Sequence, residues 1–549
     1  MSRITALDPL VGISSGHYVA VDVDDGTVDG TYRFDLGSAL EQSKTLGEHY
    51  DSQSGRYLDL DKWLAPQRDG LYYGVRIPKY SESTTTACTK TGANAGLSVT
   101  PSTATEAGND DYADKFPFMH WTVNGGAEST GMPYVTAFRI MNDLGFSLTG
   151  ANGNVWEMAP MLYWKFVETP TYFEIGVSDT ARSGFEPQPG GLLPDHSLRP
   201  FMLYAKYSGC FYDGKLASVS GQKAANRTIS HNSLITLCRS LGDAYSGKSV
   251  ADDWYVKVMF LLKYASKSSQ AVFAGCTAYT AQVHPSVAEA GTTRVIVSNA
   301  DAAKFEVGSA VMLGDQSTAS TDRGNASCYN VFDGLTILRK DAYDSSNTAL
   351  IIDSASTFDT GTGYLLSTAP WPTGALDGVL GSDGTITAAG RTNGREPFLL
   401  QGIECMVGFY EILSGVIINA AEIDGQLKCE VHIAYDTLDD ATSITSDFTD
   451  TGVSLPATET ASWIYTTDIA DAGGLLVGVG SGGTTSTGMG DGSYQNVATS
   501  KGTREFLGLG YLADGGVAGL FCVLSNSGLS GSWWSDGSRL SATGRSGVN

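Results

Sequence analysis

Several features that would mark an enzyme, a metal site or a membrane protein are missing from this 549-residue chain. Its eight cysteines form no CxxC pair and its seven histidines form no HExxH sequence, although a zinc site usually shows a close pair of ligands. No stretch reaches the ~18 consecutive apolar residues of a membrane-spanning helix, and the first residues carry no run of the signal-peptide type. We therefore expect free cysteines, no metal, no cofactor and no membrane insertion.

Positive charge is also scarce. The chain has 35 Lys and Arg against 59 Asp and Glu, which gives a net charge of −24. Such an acidic protein is a poor candidate for binding nucleic acid by neutralising phosphates, and equally poor for docking on anionic lipid. The composition therefore argues against a function in which the protein binds nucleic acid. Hydrophobic residues make up 42 % of the chain, which is enough for a packed core.

Motifs that carry catalysis are absent or lack their context. Residues 478–483 match GxGxxG, but the Gly- and Thr-rich residues that follow cannot begin the helix that a dinucleotide site needs. Asp22, Asp24 and Asp25 resemble a calcium loop only in part, because Gly26 replaces a ligand and no Glu closes the loop. No nucleophile elbow or phosphate-binding loop is present. We expect a protein that is not an enzyme.

The residues that are abundant favour an α+β, β-rich fold. Glycine accounts for 66 residues and tyrosine for 26, and strand-like aromatic segments are punctuated by turn residues. Only two segments predict helices. Residues 230–241 place Leu234, Leu237, Cys238 and Leu241 on one face. Residues 249–267 are too apolar for a surface helix and predict a helix in the core.

Changes of composition along the chain predict four segments. Residues 1–108 form a small β-rich N-terminal module that ends in a Ser-, Thr- and Ala-rich linker, 81–108. Residues 109–284 and 386–549 share an aromatic, glycine-rich style and form the two parts of one domain. Residues 285–385, rich in β-branched runs, predict an inserted all-β module.

The C-terminal segment, 515–549, is the most informative part of the chain. It holds only three charged residues, eight serines, eight glycines and the adjacent pair Trp533 and Trp534. Rigid aromatic anchors among small polar residues are typical of an evolved binding surface. The alternative is a Gly- and Ser-rich terminal strand and loop with two core tryptophans.

Several motifs together resemble one family. VTAFRIMNDLGFSLTGANGNVWEMAPMLYWKF at 135–166, GIECMVGFYEILSGV at 402–416 and AGLFCVLSNSGLSGSWWSDGSRLS at 518–541 carry the resemblance. They are similar to phage tail proteins with a C-type-lectin-like domain of the formylglycine-generating-enzyme type, and specifically to the variable proteins of diversity-generating retroelements. The resemblance covers about 110–280 and 393–549.

The resemblance implies the fold without the chemistry of the enzyme relatives. Cys405 and Phe409 stand where the family's GIEN-WGN segment has asparagines, so calcium is not expected. The enzymes use a pair of cysteines near the C-terminal core, where this chain has only Cys522. The pair of cysteines that would bind copper for the oxidation is therefore not expected in this chain.

The resemblance implies a receptor-binding, host-attachment protein at the tip of a phage tail fibre. The N-terminal module would bind tail or baseplate proteins. The protein would be made in the host cytoplasm, would assemble as a homotrimer and would bind a protein or glycan receptor on the host cell surface. Alternatives are a bacterial surface-displayed variable adhesin and, less favoured, a formylglycine-generating-type oxidase.

The resemblance also divides the C-terminal residues into two sets. Its fixed frame comprises Gly519, Leu520, Trp534, Gly537, Arg539 and Leu540, with Trp534 as a core anchor. Residues between and beside them are expected to point outward and form a hypervariable receptor-binding face. They are Tyr511, Asp514, Phe521, Val523, Ser525, Asn526, Ser527, Ser530, Ser532, Trp533, Ser535, Asp536 and Ser538.

Overall fold

The structure is a computed structural model. The residues it describes are 18–21, 32–35, 45–83, 87–141, 143, 145–315, 329–387, 392–436, 442–457, 462–495 and 501–547. Strands account for 39 % of the structure and helices for 11 %. The predicted α+β, β-rich class is therefore confirmed.

Two large sheets carry most of the chain. The first large sheet has, in spatial order, the strands Ser246–Gly247, Leu540–Ser541, Met202–Ala205, Val155–Ala159, Trp121–Ala127, Pro133–Phe138, Arg56–Tyr57 and Tyr50–Asp51. The second large sheet has Thr449–Leu455, Gln426–Ile433, Tyr410–Ile423, Gly502–Leu509, Gly519–Leu524, Gly492–Tyr494 and Trp463–Tyr465, with Asp536–Gly537 paired in parallel to Tyr410–Ile423. Strands of the C-terminal segment belong to both sheets.

A five-stranded sheet joins the N-terminal residues to the rest. Its strands in order are Glu186–Pro187, Tyr163–Glu168, Tyr172–Ser178, Tyr72–Pro78 and Thr89–Gly92. Tyr72–Pro78 therefore pairs on one side with a strand from the predicted lectin-like part. Residues 45–83 and 87–108 are built into the sheets of residues 109–284, which differs from the predicted separate module. The segment 81–108 also differs from a linker, because Asn94 is fully buried and donates to the carbonyls of Gly74 and Leu262.

A six-stranded sheet takes all its strands from residues 282–368. They are, in spatial order, Gln282–Val283, Leu365–Thr368, Ala310–Gly314, Phe332–Ala342, Asn347–Ile352 and Arg294–Ser298. The sheet has its own hydrophobic cluster, which includes Phe305, Val311 and Leu350. We call residues 285–385, which hold most of this sheet, the insert. The short helix Asn299–Ala302 also lies in it.

Both predicted helices are present. The helix His231–Arg239 begins after Ser230, and the helix Val250–Tyr264 begins after Ser249. Each serine side chain accepts a hydrogen bond from the backbone three residues on, in a capping box, which fixes where each helix starts. The second helix is buried from its first residue to Lys263. It packs against strands of the five-stranded sheet and of the second large sheet, as a core helix should.

The remaining elements are short. Two-stranded pairs are Tyr18–Val21 with Tyr32–Asp35, Cys210–Tyr212 with Lys215–Ala217, Phe398–Leu400 with Ile403–Cys405, and Asp468–Ala472 with Leu475–Val479. One further α-helix is Leu60–Leu64, and 3-10 turns are Ala65–Gln67, Phe116–Phe118, Arg139–Met141, Ser269–Ala271 and Gly515–Val517. No disulfide joins the cysteines that the structure describes. Within the described ranges, no helix is both long and apolar enough to cross a membrane.

Candidate functional site at the C-terminal loop

The C-terminal segment forms a loop between two strands that are fixed in the second large sheet. We call residues 525–535 the C-terminal loop; it follows Gly519–Leu524 and precedes Asp536–Gly537. Leu529, near its middle, is buried in a cluster with Ile417, Ala434 and Phe448. The loop is therefore anchored at its centre as well as at its ends.

The outward face of the loop is small and carries one large aromatic side chain. Trp533 is 59 % exposed, the highest value among the exposed large hydrophobic residues of the described chain. Ser530 and Ser532 are exposed beside it, and the Ser532 hydroxyl donates to the Arg227 carbonyl at 2.8 Å. Trp533 thus lies outward, as predicted for a contact residue.

Five of the predicted contact residues are buried, and their outward placement is corrected. They are Phe521, Val523, Ser525, Asp536 and Ser538, all at most 1 % exposed. The prediction placed them outward because the resemblance puts them between and beside the residues of the fixed frame. Both faces of Gly519–Leu524 are covered, because Phe521 and Val523 on one face and Leu520 and Cys522 on the other are all at most 1 % exposed. A strand covered on both faces has no outward set of side chains.

The other predicted contact residues are half-buried. These are Tyr511, Asp514, Asn526, Ser527 and Ser535. Together with the exposed Ser530, Ser532 and Trp533 they leave a contact surface narrower than the sequence predicted, centred on the C-terminal loop.

Trp534 faces inward but is only half-buried. Its ring lies edge-on to Tyr511 at 5.7 Å, and Tyr511 lies 5.3 Å from Tyr410. The backbone carbonyl of Trp534 accepts a hydrogen bond from Asn226. The two tryptophans therefore separate as predicted, although they lie in a turn and not on a strand.

A buried ion-pair network holds the end of the segment. Arg539 donates to both carboxylate oxygens of Glu411, at 2.8–3.3 Å. Lys248 lies 3.1 Å from Glu411 and 3.0 Å from Asp253, which also pairs with Lys257 at 2.6 Å. Burial alone would raise the pKa of Glu411, but the charges of Arg539 and Lys248 outweigh it and lower that pKa. Removing one member of such a buried network is strongly destabilising.

Gly519 is required at the start of the last long strand. Its φ is +148°, and a Cβ added there would lie 2.2 Å from the Asp491 Oδ1. Asp491 is fully buried and accepts hydrogen bonds from the Phe521 backbone at 2.8 Å and the Ser269 hydroxyl at 3.3 Å. Burial raises the pKa of Asp491 to about 8. The predicted frame residues Gly519, Leu520, Gly537, Arg539 and Leu540 are all buried.

Two buried carboxylic acids lie beside the loop: Glu505, which the sequence analysis missed, and Asp536, which it placed outward. Glu505 is fully buried, and a Cβ on Gly531 of the loop would lie 3.6 Å from its Oε1. Burial, together with the charge of Asp536, raises the pKa of Glu505 to about 9. Burial likewise raises the pKa of Asp536 to about 7. The loop therefore rests on groups that prefer to be neutral, and only the strand pairing reveals this.

The two residues at the positions where the resemblance has asparagines do not fit a calcium site. Cys405 is buried, and its thiol donates to the Ile403 carbonyl at 3.6 Å. Phe409 is fully buried in a hydrophobic cluster with Trp371 and Leu512. Calcium takes oxygen ligands, and neither side chain supplies one.

Comparison with known proteins adds no assignment. No family model matches the chain, and no curated protein matches it either.

Proposed function

We propose that this chain is a receptor-binding protein of a phage tail fibre, with the C-terminal loop as its receptor-contact surface. The observation that carries the proposal is the exposed Trp533 on a loop whose centre and ends are rigidly held. Binding hot spots are enriched in tryptophan, and a pre-ordered loop loses little conformational entropy on binding. The motif resemblance supplies the biological setting.

The proposed fold is a C-type-lectin-like domain made from residues 109–284 and 386–549 together with the strands of residues 45–108, with the insert between its two main parts. One buried helix packed against the five-stranded sheet and the second large sheet supports this proposal, as does a C-terminal segment with strands in both large sheets. Virion attachment is assigned to residues 1–108, and the protein is proposed to reside at the tail tip. In a homotrimer, three weakly binding loops would raise the overall affinity by avidity.

A surface-displayed adhesin would use the same loop, and the two settings differ in the partner at residues 1–108. The oxidase alternative is not favoured. The Cys522 thiol is fully buried, and burial holds its pKa well above the usual range. Metal-binding cysteines are deprotonated thiolates, a form that this environment opposes.

The test compares Trp533→Ala with a matched exposed aromatic residue elsewhere. Tyr343 is 40 % exposed and lies after the strand Phe332–Ala342 of the insert, so Tyr343→Ala removes an exposed ring without touching the loop. We expect the melting temperatures of both variants to stay near that of the unmodified protein. Binding of labelled protein to a panel of bacterial strains should fall at least tenfold for Trp533→Ala only, since a hot spot contributes about 2 kcal/mol or more.

Two results would contradict the proposal. One is undiminished cell binding by Trp533→Ala. The other is an equal loss of binding by Tyr343→Ala, which would move the contact surface to the insert. Trp534→Ala serves as the structural comparison, and we expect it to lower the melting temperature because that ring packs on Tyr511.

A further inference from the structure

Three side chains that bind metals in other proteins come together on the second large sheet. Glu430 and His432 lie on Gln426–Ile433, and Asp450 lies on the neighbouring edge strand Thr449–Leu455. Glu430 and His432 are two residues apart and so point to the same face of the sheet. His432 is the direct cross-strand partner of Asp450. One ligand atom from each of the three residues lies within 4.8 Å of the other two.

The histidine has an unused hydrogen-bonding atom. His432 is only 9 % exposed, and its Nε2 is buried without a hydrogen-bond partner. Buried polar atoms are nearly always satisfied, so one that is not needs an explanation. A neutral imidazole nitrogen is also the commonest protein ligand for a transition-metal ion.

Both carboxylates are held by neighbouring groups. The Asn419 amide donates to Glu430 Oε2 at 3.4 Å, and the Gly452 backbone N–H donates to Asp450 Oδ1 at 2.9 Å. The Lys428 ammonium lies 3.8 Å from Glu430 Oε1. These contacts restrict the carboxylates while leaving an oxygen of Asp450 available.

We propose that Glu430, His432 and Asp450 bind a divalent transition-metal ion of the zinc type. Three protein ligands of the His and carboxylate kind with an open fourth position match zinc coordination. The ligand atoms lie within 4.8 Å of one another, so small side-chain rotations would place each of them about 2.0–2.2 Å from a zinc ion held between them. Calcium takes six to eight oxygen ligands, and a nitrogen ligand with two carboxylates favours zinc over it. This departs from the sequence-based expectation of no metal.

The position of the site gives the ion a structural consequence. His432 pairs with Ile417, which lies in the hydrophobic cluster that anchors Leu529 of the C-terminal loop. Phe448, next to the edge strand, belongs to the same cluster. An ion that joins the edge strand to its neighbour would therefore restrict the motion of the hydrophobic cluster that holds Leu529 of the C-terminal loop. This consequence rests on the proposed receptor-binding function, whereas ion binding itself does not.

Isothermal titration of ZnCl₂ into the tag-free full chain, freed of metal with EDTA, tests the proposal. We expect saturable binding of one zinc ion per protein chain. Asp450→Asn should weaken it at least tenfold, and His432→Gln should do the same. Asp450 is exposed, so its variant keeps the test valid if the buried histidine variant fails to fold. Asp447→Asn is the matched control, because it removes an equally exposed carboxylate three residues away, and it should bind zinc as the unmodified protein does.

Three results would overturn the assignment. They are no saturable zinc binding, equal affinity in Asp450→Asn, and a parallel CaCl₂ titration that gives the tighter site. Repeating the Trp533→Ala cell-binding measurement in EDTA separates the two proposals. Loss of binding by that variant without metal supports the receptor surface even if the zinc site fails.

Discussion

Replacing Glu505 with glutamine should make the protein more stable at neutral pH, by an amount that depends on pH. The buried carboxyl has a pKa of about 9, against an ordinary value of 4.5. Below the ordinary value, folded and unfolded chains both hold the proton. As pH rises above it, the unfolded chain releases the proton while the folded chain keeps it, so stability falls until the pH passes the folded pKa. Each pH unit costs about 1.4 kcal/mol. Between pH 4.5 and 7 the unmodified protein therefore loses roughly 3 kcal/mol that Glu505→Gln retains.

Thermal unfolding of both proteins from pH 4.5 to 8 measures this difference. The gap in melting temperature should be smallest at pH 4.5 and widen by several degrees toward pH 8, since a few degrees correspond to about 1 kcal/mol in a large domain. Glu422→Gln is the control, because Glu422 is exposed on Tyr410–Ile423 and its side chain forms only a 3.6 Å surface ion pair. At pH 8 the gap in melting temperature for Glu422→Gln should be smaller than the gap for Glu505→Gln. Parallel melting curves for Glu505→Gln and the unmodified protein would refute the reasoning.

Two further predictions concern the frame and the domain boundaries. Gly519→Ala should lower the free energy of unfolding by about 1–3 kcal/mol through overpacking, because the added Cβ would overlap the Asp491 carboxylate. The measurement is the melting temperature, which should fall. An unchanged melting temperature would show that the strand can shift. Replacing residues 282–368, which supply every strand of the six-stranded sheet, by a short Gly/Ser bridge should leave a cooperative melt, whereas a chain starting at residue 109 should not fold, because it lacks Tyr72–Pro78 from the middle of the five-stranded sheet. The replacement stops before the predicted boundary at 385, because Trp371 shares a hydrophobic cluster with Phe409 and Asp383 pairs with the buried Lys263. A deletion variant that does not melt cooperatively would show that the deleted residues belong to the core. A chain from residue 109 that is soluble and has the circular dichroism of a folded protein would show that the N-terminal residues do not.

The sequence predicted the local features of the fold well. The predicted segments 230–241 and 249–267 contain the helices His231–Arg239 and Val250–Tyr264, because apolar spacing and composition act over a few residues. The segment 81–108 was misread because its Ser- and Thr-rich composition is that of a linker. Its burial comes from pairing with Tyr72–Pro78 and from contacts with the distant helix Val250–Tyr264, and no local pattern encodes such contacts.

For the candidate site, the split between Trp533 and Trp534 was predictable, but the burial around it was not. Phe521 and Val523 look like alternating residues of a half-exposed strand, and only the tertiary structure covers both faces. The spacing of Glu430 and His432 is visible in the sequence as a same-face pair. That Asp450 lies beside them depends on the pairing register between two strands, which could not be predicted from the sequence.

The order in which the chain is synthesised means that the first large sheet can be completed only after the C-terminal loop has been translated. Leu540–Ser541 lies inside the first large sheet, where Ser541 pairs with Tyr204, 541 − 204 = 337 residues earlier. A ribosome therefore translates the whole C-terminal loop before the strand that completes this sheet. Pairings this distant in sequence form late in folding. A chain that stopped within the C-terminal loop would leave the first large sheet without Leu540–Ser541 and its edge exposed. Such a product would be prone to aggregation or degradation, so only chains that encode an intact loop would reach assembly.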